Sequence, residues 1–211
     1  MKLVTFQSME ALKSLINNKE LVCNPSYIDE SYLDKYNWIV TKMNEKVKNP
    51  GNIKYPLWCW VKCYNGICPP KHKGKKVDGF DVKITFKKDI KDVFITDYRM
   101  YSFLLNNIYI PSSIKDKNEF DKKLEKLNLN IKDLKTAKLD DSLSNMIKSS
   151  FDKCISVDGD ILQGCVWNIK LEDVLDIEIL NDDGYKYGSL NYIRSNGKRI
   201  DWQKEYYKLL K

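Results

Sequence analysis

At 211 residues, 43% of them hydrophobic and 12% aromatic, the chain is long enough to bury one substantial core without disulfide or metal staples. Its 36 basic and 29 acidic residues leave a net charge of +7, but the two signs are interleaved, which suits a soluble protein and gives slight support for an anionic partner. No apolar run approaches the roughly 20 residues of a membrane span, and MKLVTFQSMEALKS lacks the apolar core of a secretory signal; a cytoplasmic location with reduced thiols is expected, and a membrane role is not.

LVTF (3–6) is a β-prone run, and Ser8 is placed to cap a helix whose Met9, Leu12, Leu15 and Ile16 fall at helical spacing. After the Asn24-Pro25-Ser26 turn, Tyr32, Tyr36, Ile39, Met43 and Val47 mark a second helix, which Asn49-Pro50-Gly51 ends. YPLWCWVKCY (55–64) is aromatic and β-branched, hence a strand, with Leu57, Cys59, Val61 and Cys63 on one face and Trp58, Trp60, Lys62 and Tyr64 on the other. A lysine-rich loop (71–76) follows. FDVKITF (80–86) alternates as a half-buried strand does, VFIT (93–96) is another strand, and YRMYSFLLNNIYI (98–110) suits a short buried helix closed by Pro111.

Residues 112–153 change character. Phe120, Leu124 and Leu127, then Leu143, Ile147 and Phe151, predict two amphipathic helices, an insertion with too few large residues to be a domain of its own. Strand patterns return in ILQGCVWNI (161–169) and VLDIEIL (174–180), Asp182-Asp183-Gly184 is a turn, and a hairpin is expected around Asn196-Gly197 before the basic end EYYKLL. Strands at both ends of the sequence with helices between them predict a single α+β domain over 1–211, with a central mixed or antiparallel sheet, flanking helices and the helical insertion.

Cys59, Cys63, Cys68 and His72 offer the four ligands a tetrahedral zinc ion needs. In a strand, however, Cys59 and Cys63 stand about 13 Å apart, four residues at about 3.3 Å each. One zinc ion reaches both only after a bulge, so no metal is expected and the thiols are assigned to packing; a reactive thiol is the other alternative. His72, among lysines, belongs to a solvated loop. The lysines could meet phosphates, and Trp58 and Trp60 could stack on a base or a nicotinamide ring, although sheet packing also accounts for them. Serine hydrolase, phosphate-loop and HExxH signatures are absent from the sequence.

With TFQS, YNWIVTKM, YPLWCW, the FITD run leading into FLLNNIYIP, and ILQGCVWNIKLEDV, the chain resembles a bacterial family known as domain of unknown function 3841, apart from 112–153 and the far C-terminus; that resemblance implies no activity. The opening LVTFQSMEALKSLINNKELV is also similar to the start of ADP-ribosyltransferase-like domains, including those that modify DNA. That likeness implies an NAD pocket begun by the first strand, with Thr5 and Gln7 where a His-x-Thr-like motif would stand, Tyr36, Trp58 and Trp60 as walls, and NAD as the substrate. It also implies a catalytic part at Gln163, whose strand is similar to the segment in which such enzymes place a glutamate after a glutamine. Here that strand holds no acid, and Glu172 is the carboxylate taken to serve with Gln163; Asp173 and Asp97 are further strand-end acids. The expected function is therefore an ADP-ribosyltransferase-like protein acting on nucleic acid or protein with a non-standard carboxylate. The alternative is a non-catalytic module that binds nucleic acid or a protein in bacteria and phage conflict.

Overall fold

A computed structural model of the chain describes residues 1–64, 66–67, 81–134 and 139–180. The lysine-rich loop, Cys68, His72, Phe80, the Asp182 to Gly184 turn, the expected Asn196-Gly197 hairpin and the basic end lie outside them.

In chain order the elements are β1 (Lys2–Gln7), α1 (Met9–Asn18), β2 (Glu20–Val22), α2 (Leu33–Lys46), β3 (Leu57–Cys63), β4 (Val82–Lys87), β5 (Phe94–Asp97), α3 (Tyr98–Leu105), α4 (Ile114–Lys126), α5 (Asp141–Ser149), β6 (Ile161–Val166), β7 (Asn168–Lys170) and β8 (Val174–Ile179). Six strands form one sheet in the order β5-β6-β3-β1-β4-β8, and β2 pairs β7 in a separate ribbon. Among the described residues every strand pairing is antiparallel, so the protein is α+β with an antiparallel central sheet.

Local sequence explains most of the elements. Ser8 accepts from the Ala11 amide at 3.2 Å and starts α1, whose Leu12, Leu15 and Ile16 are buried as a single stripe. Asp97 plays the same part for α3, taking the Arg99 and Met100 amides at 2.8 and 3.1 Å. The two helices expected within 112–153 are α4 and α5, and Phe120, Leu124, Leu143, Ile147 and Phe151 are buried with Ile39, Met43, Phe94, Tyr101 and Cys165. The insertion thus shares the core of the sheet.

The sheet separates two apolar layers. On one face, α1 and the β2–β7 ribbon cover Leu3, Leu57, Cys59, Val82, Ile84, Phe86, Val166 and Ile177. On the other, α2 to α5 pack over Phe94, Trp58 and Cys165. Trp167 breaks the β6 run, donating its Nε1–H to the Val47 carbonyl at 3.2 Å; Ile169, beyond it, joins Leu21 in the ribbon. β2 is too short for its sequence to announce.

The seam between β1 and β3 is thin. One register pair joins them, Val4 with Trp60, whereas β1 and β4 share six. A side-chain bond reinforces it: Thr5 Oγ1 donates to the Trp58 carbonyl at 2.7 Å and accepts from Gln7 Nε2 at 2.8 Å. Next to the seam, Gly164 lets β6 close on its neighbours, since a Cβ there would stand 2.8 Å from Val93 Cγ1, 3.0 Å from Val61 Cγ2 and 3.1 Å from Cys59 Sγ.

Two stability changes follow. Gly164→Ala is expected to overpack this layer by about 1–3 kcal/mol, and Thr5→Val to cost about 1–3 kcal/mol by stranding the Trp58 carbonyl, both read as lower denaturant midpoints.

Candidate functional site

Directly opposed residues of an antiparallel pair project to the same face. Thr96, Gln163, Trp60 and Val4 are opposed in turn across β5, β6, β3 and β1, so their side chains stand in one row. The neighbouring row on that face holds Phe94, Cys165 and Trp58. Helix α3 lays one tyrosine against each tryptophan: Tyr98 meets Trp60 at 5.2 Å between ring centroids, and Tyr101 meets Trp58 at 4.6 Å. From α2, Tyr36 adds an edge contact with Trp58 at 6.2 Å.

Tyr36, Trp58, Trp60 and Gln163 are therefore brought together. Thr5 and Gln7 are not. The alternation of β1 turns both to the α1 face, where Thr5 is buried and its hydroxyl is committed to the seam. Glu172 is also apart: it lies in the short 3-10 turn after β7, with a side chain 75% exposed and 3.7 Å from Lys170 Nζ. Asp173, beside it, pairs with Lys88 at 2.8 Å. Asp97 is spent as the α3 cap, and Gly159 approaches its carboxylate so closely that no Cβ would fit. None of the residues opposite Gln163 or flanking it on β6 is acidic.

The hydrogen-bond state of this row is unusual. Among the described residues the half-buried Gln163 amide makes no hydrogen bond. Thr96, 0% exposed, has an Oγ1 with no partner, as does the Tyr101 hydroxyl. Buried polar atoms are nearly always satisfied. Thr96 and Tyr101 were missed by sequence reasoning because a lone Thr in VFIT and a Tyr at helical spacing look like packing residues; the pairing of β5 with β6 makes Thr96 a neighbour of Gln163, and the packing of α3 lays Tyr101 on Trp58.

The cysteines are in packed surroundings. The Cys59 thiol donates to the Gly164 carbonyl at 3.2 Å, and burial pushes both Cys59 and Cys165 well above the usual thiol range. A bulge does occur in β3, between Trp60 and Lys62, and it works against a shared ion: Cys63 falls opposite Ile161, which puts it on the Trp60 face, away from Cys59. This corrects the simple alternation, which placed the two thiols on one face. Among the described residues no group of three His, Cys, Asp or Glu side chains could hold a metal, and no helix is long and apolar enough to cross a membrane.

Elsewhere, Asp34, Lys35, Asn107, Ser144, Lys148 and Phe151 help line a cavity of about 230 Å³ beside α2 and α5. Asp34 stands 3.8 Å from Lys148 there, which offsets the charge an anion would need.

These features define an α+β protein with an antiparallel six-stranded sheet that carries an aromatic and amide patch on its helix-covered face. Residues 2–175 match the family model described as Domain of unknown function (DUF3841), and the chain belongs to that family. No curated protein and no solved structure matches it.

Burial sets a pH limit on the site. It pushes the Tyr36 hydroxyl from 10.0 to about 12, with Trp58 pulling the other way, and raises Tyr101 as well. The folded state thus favours the protonated phenols, and the Tyr36 contribution, whole below pH about 10, is lost as pH rises through about 12. Unfolding midpoints are expected to fall over that window, and less steeply in Tyr36→Phe.

Proposed function

We propose that the chain is an ADP-ribosyltransferase-like NAD-binding protein whose nicotinamide site is the Trp60–Gln163 pair. Trp60 supplies the stacking face and Gln163, with its amide unspent, supplies both a donor and an acceptor for a carboxamide; that pairing of an indole with a free amide is the observation that carries the reading. Tyr98, 40% exposed, continues the aromatic surface, with Tyr36 and Trp58 behind it. The first strand shares the sheet with the Gln163 strand but does not border it. The strand that opens the chain and the strand of Gln163 run in the same direction two positions apart, about 10 Å, with the tryptophan strand between them.

In the transfer reaction the bond between ribose C1′ and nicotinamide breaks, nicotinamide leaves, and an oxygen or nitrogen of the acceptor bonds to C1′ and gives up its proton. The acceptor class is a nucleic acid or a protein. Stabilising the cationic sugar needs a negative group aimed at it, and Gln163 has no acidic strand neighbour. That observation favours a second reading, a module of the same fold that holds its ligand without transferring it.

Titrating NAD into the protein and following tryptophan fluorescence tests the first reading. Trp60→Ala and Gln163→Ala are expected to weaken binding about tenfold or more, the loss of one stacking or hydrogen-bonded contact, while Gln7→Ala, on the other side of the sheet, leaves it unchanged. Absence of NAD binding by the unaltered protein removes this reading. Binding without label transfer from NAD to oligonucleotides or lysate proteins selects the non-catalytic one.

A further inference from the structure

We infer that Thr96 is the positioning residue of this site: it receives the Gln163 amide when ligand binds and so turns the Gln163 carbonyl toward the ligand. The inference rests on the NAD-binding reading above. Thr96 and Gln163 face each other directly across β5 and β6, where opposed Cβ atoms stand about 4.5–5.5 Å apart, within reach of a glutamine amide. Each lacks what the other offers. The Thr96 Oγ1 is buried with no partner, and Gln163 makes no hydrogen bond among the described residues. The remaining neighbours do not compete for the bond: Trp60, opposite Gln163 on its other side, has no acceptor, and Asp97, next to Thr96, is held by the α3 amides.

In the free protein the half-buried amide is solvated and mobile in direction, and the hydroxyl beneath it is unsatisfied. A carboxamide ligand stacked on Trp60 displaces that water. The Gln163 NH2 then donates to Thr96 Oγ1, and its carbonyl oxygen is left in one orientation as the acceptor for the ligand's own NH2. A buried group satisfied only in the bound state contributes to affinity by the cost it no longer carries.

The test compares NAD binding by calorimetry with thermal unfolding in Thr96→Val, Thr96→Ser, Gln163→Ala and the Thr96→Val/Gln163→Ala double variant. Thr96→Val keeps the shape and removes the orphaned hydroxyl, so it is expected to melt higher yet bind NAD about tenfold more weakly. Thr96→Ser keeps the hydroxyl and is expected to bind as the unaltered protein does. In the Gln163→Ala background Thr96→Val is expected to have no further effect on binding, because its action runs through Gln163. Unchanged NAD affinity in Thr96→Val overturns the inference, as does an additive loss in the double variant or a lower melting temperature for Thr96→Val, which would show the hydroxyl already bonded. If Gln163→Ala weakens binding and Thr96→Val does not, the positioning role fails and the NAD site stands; if the unaltered protein binds no NAD, both fail.

Discussion

β1 and β3 are joined by the Val4–Trp60 pair and the Thr5 hydroxyl on the Trp58 carbonyl, and the rest of the molecule is arranged around that joint. To one side lie β4 and β8, to the other β6 and β5. The joint sets Val4 level with Trp60, and the β3–β6 and β6–β5 pairings carry that row on to Gln163 and Thr96. Thr5 matters to the ligand face only in this way: it fixes the strand whose far side bears the tryptophans.

The two faces of the sheet have separate tasks. The α1 face is filled by aliphatic side chains and thiols, with Gly164 allowing the close approach of Val61, Val93 and Cys59. The opposite face is aromatic and incompletely satisfied, with Tyr36, Tyr98 and Tyr101 brought onto two tryptophans by α2 and α3. An unpartnered hydroxyl is costly in a core, and that of Thr96, directly opposite Gln163, is the physical ground for locating chemistry there.

Local patterns were legible in the sequence. Ser8 before Met9, Leu12, Leu15 and Ile16 announces α1, and the spacing of Phe120, Leu124, Leu143 and Ile147 announces α4 and α5, because a buried helical stripe leaves a period. Asp97 before an apolar helical run is a capping signal as much as it is a strand-end acid, and the cap is the part it takes. What could not be read was anything set by pairing at a distance. The bulge that sends Cys63 away from Cys59 leaves no local mark, three-residue strands have no period, and the contact of Trp60 with Gln163 joins residues 60 and 163 through a register only the folded sheet defines. The expectation that Thr5 and Gln7 share a pocket wall with Trp58 and Trp60 met the same difficulty. Alternation assigns faces within one strand, but says nothing of how the faces of two strands match.

So few backbone bonds at the joint mean that its cohesion comes mainly from the layer beneath, where Leu57 and Cys59 from one half are buried with Leu3, Ile84 and Phe86 from the other. Burial of this kind weakens as water is cooled, whereas β1 and β4 add a six-pair backbone ladder to the same burial. Chilling should therefore loosen the middle of this sheet before its flanks, the reverse of the usual picture in which the edges fray first.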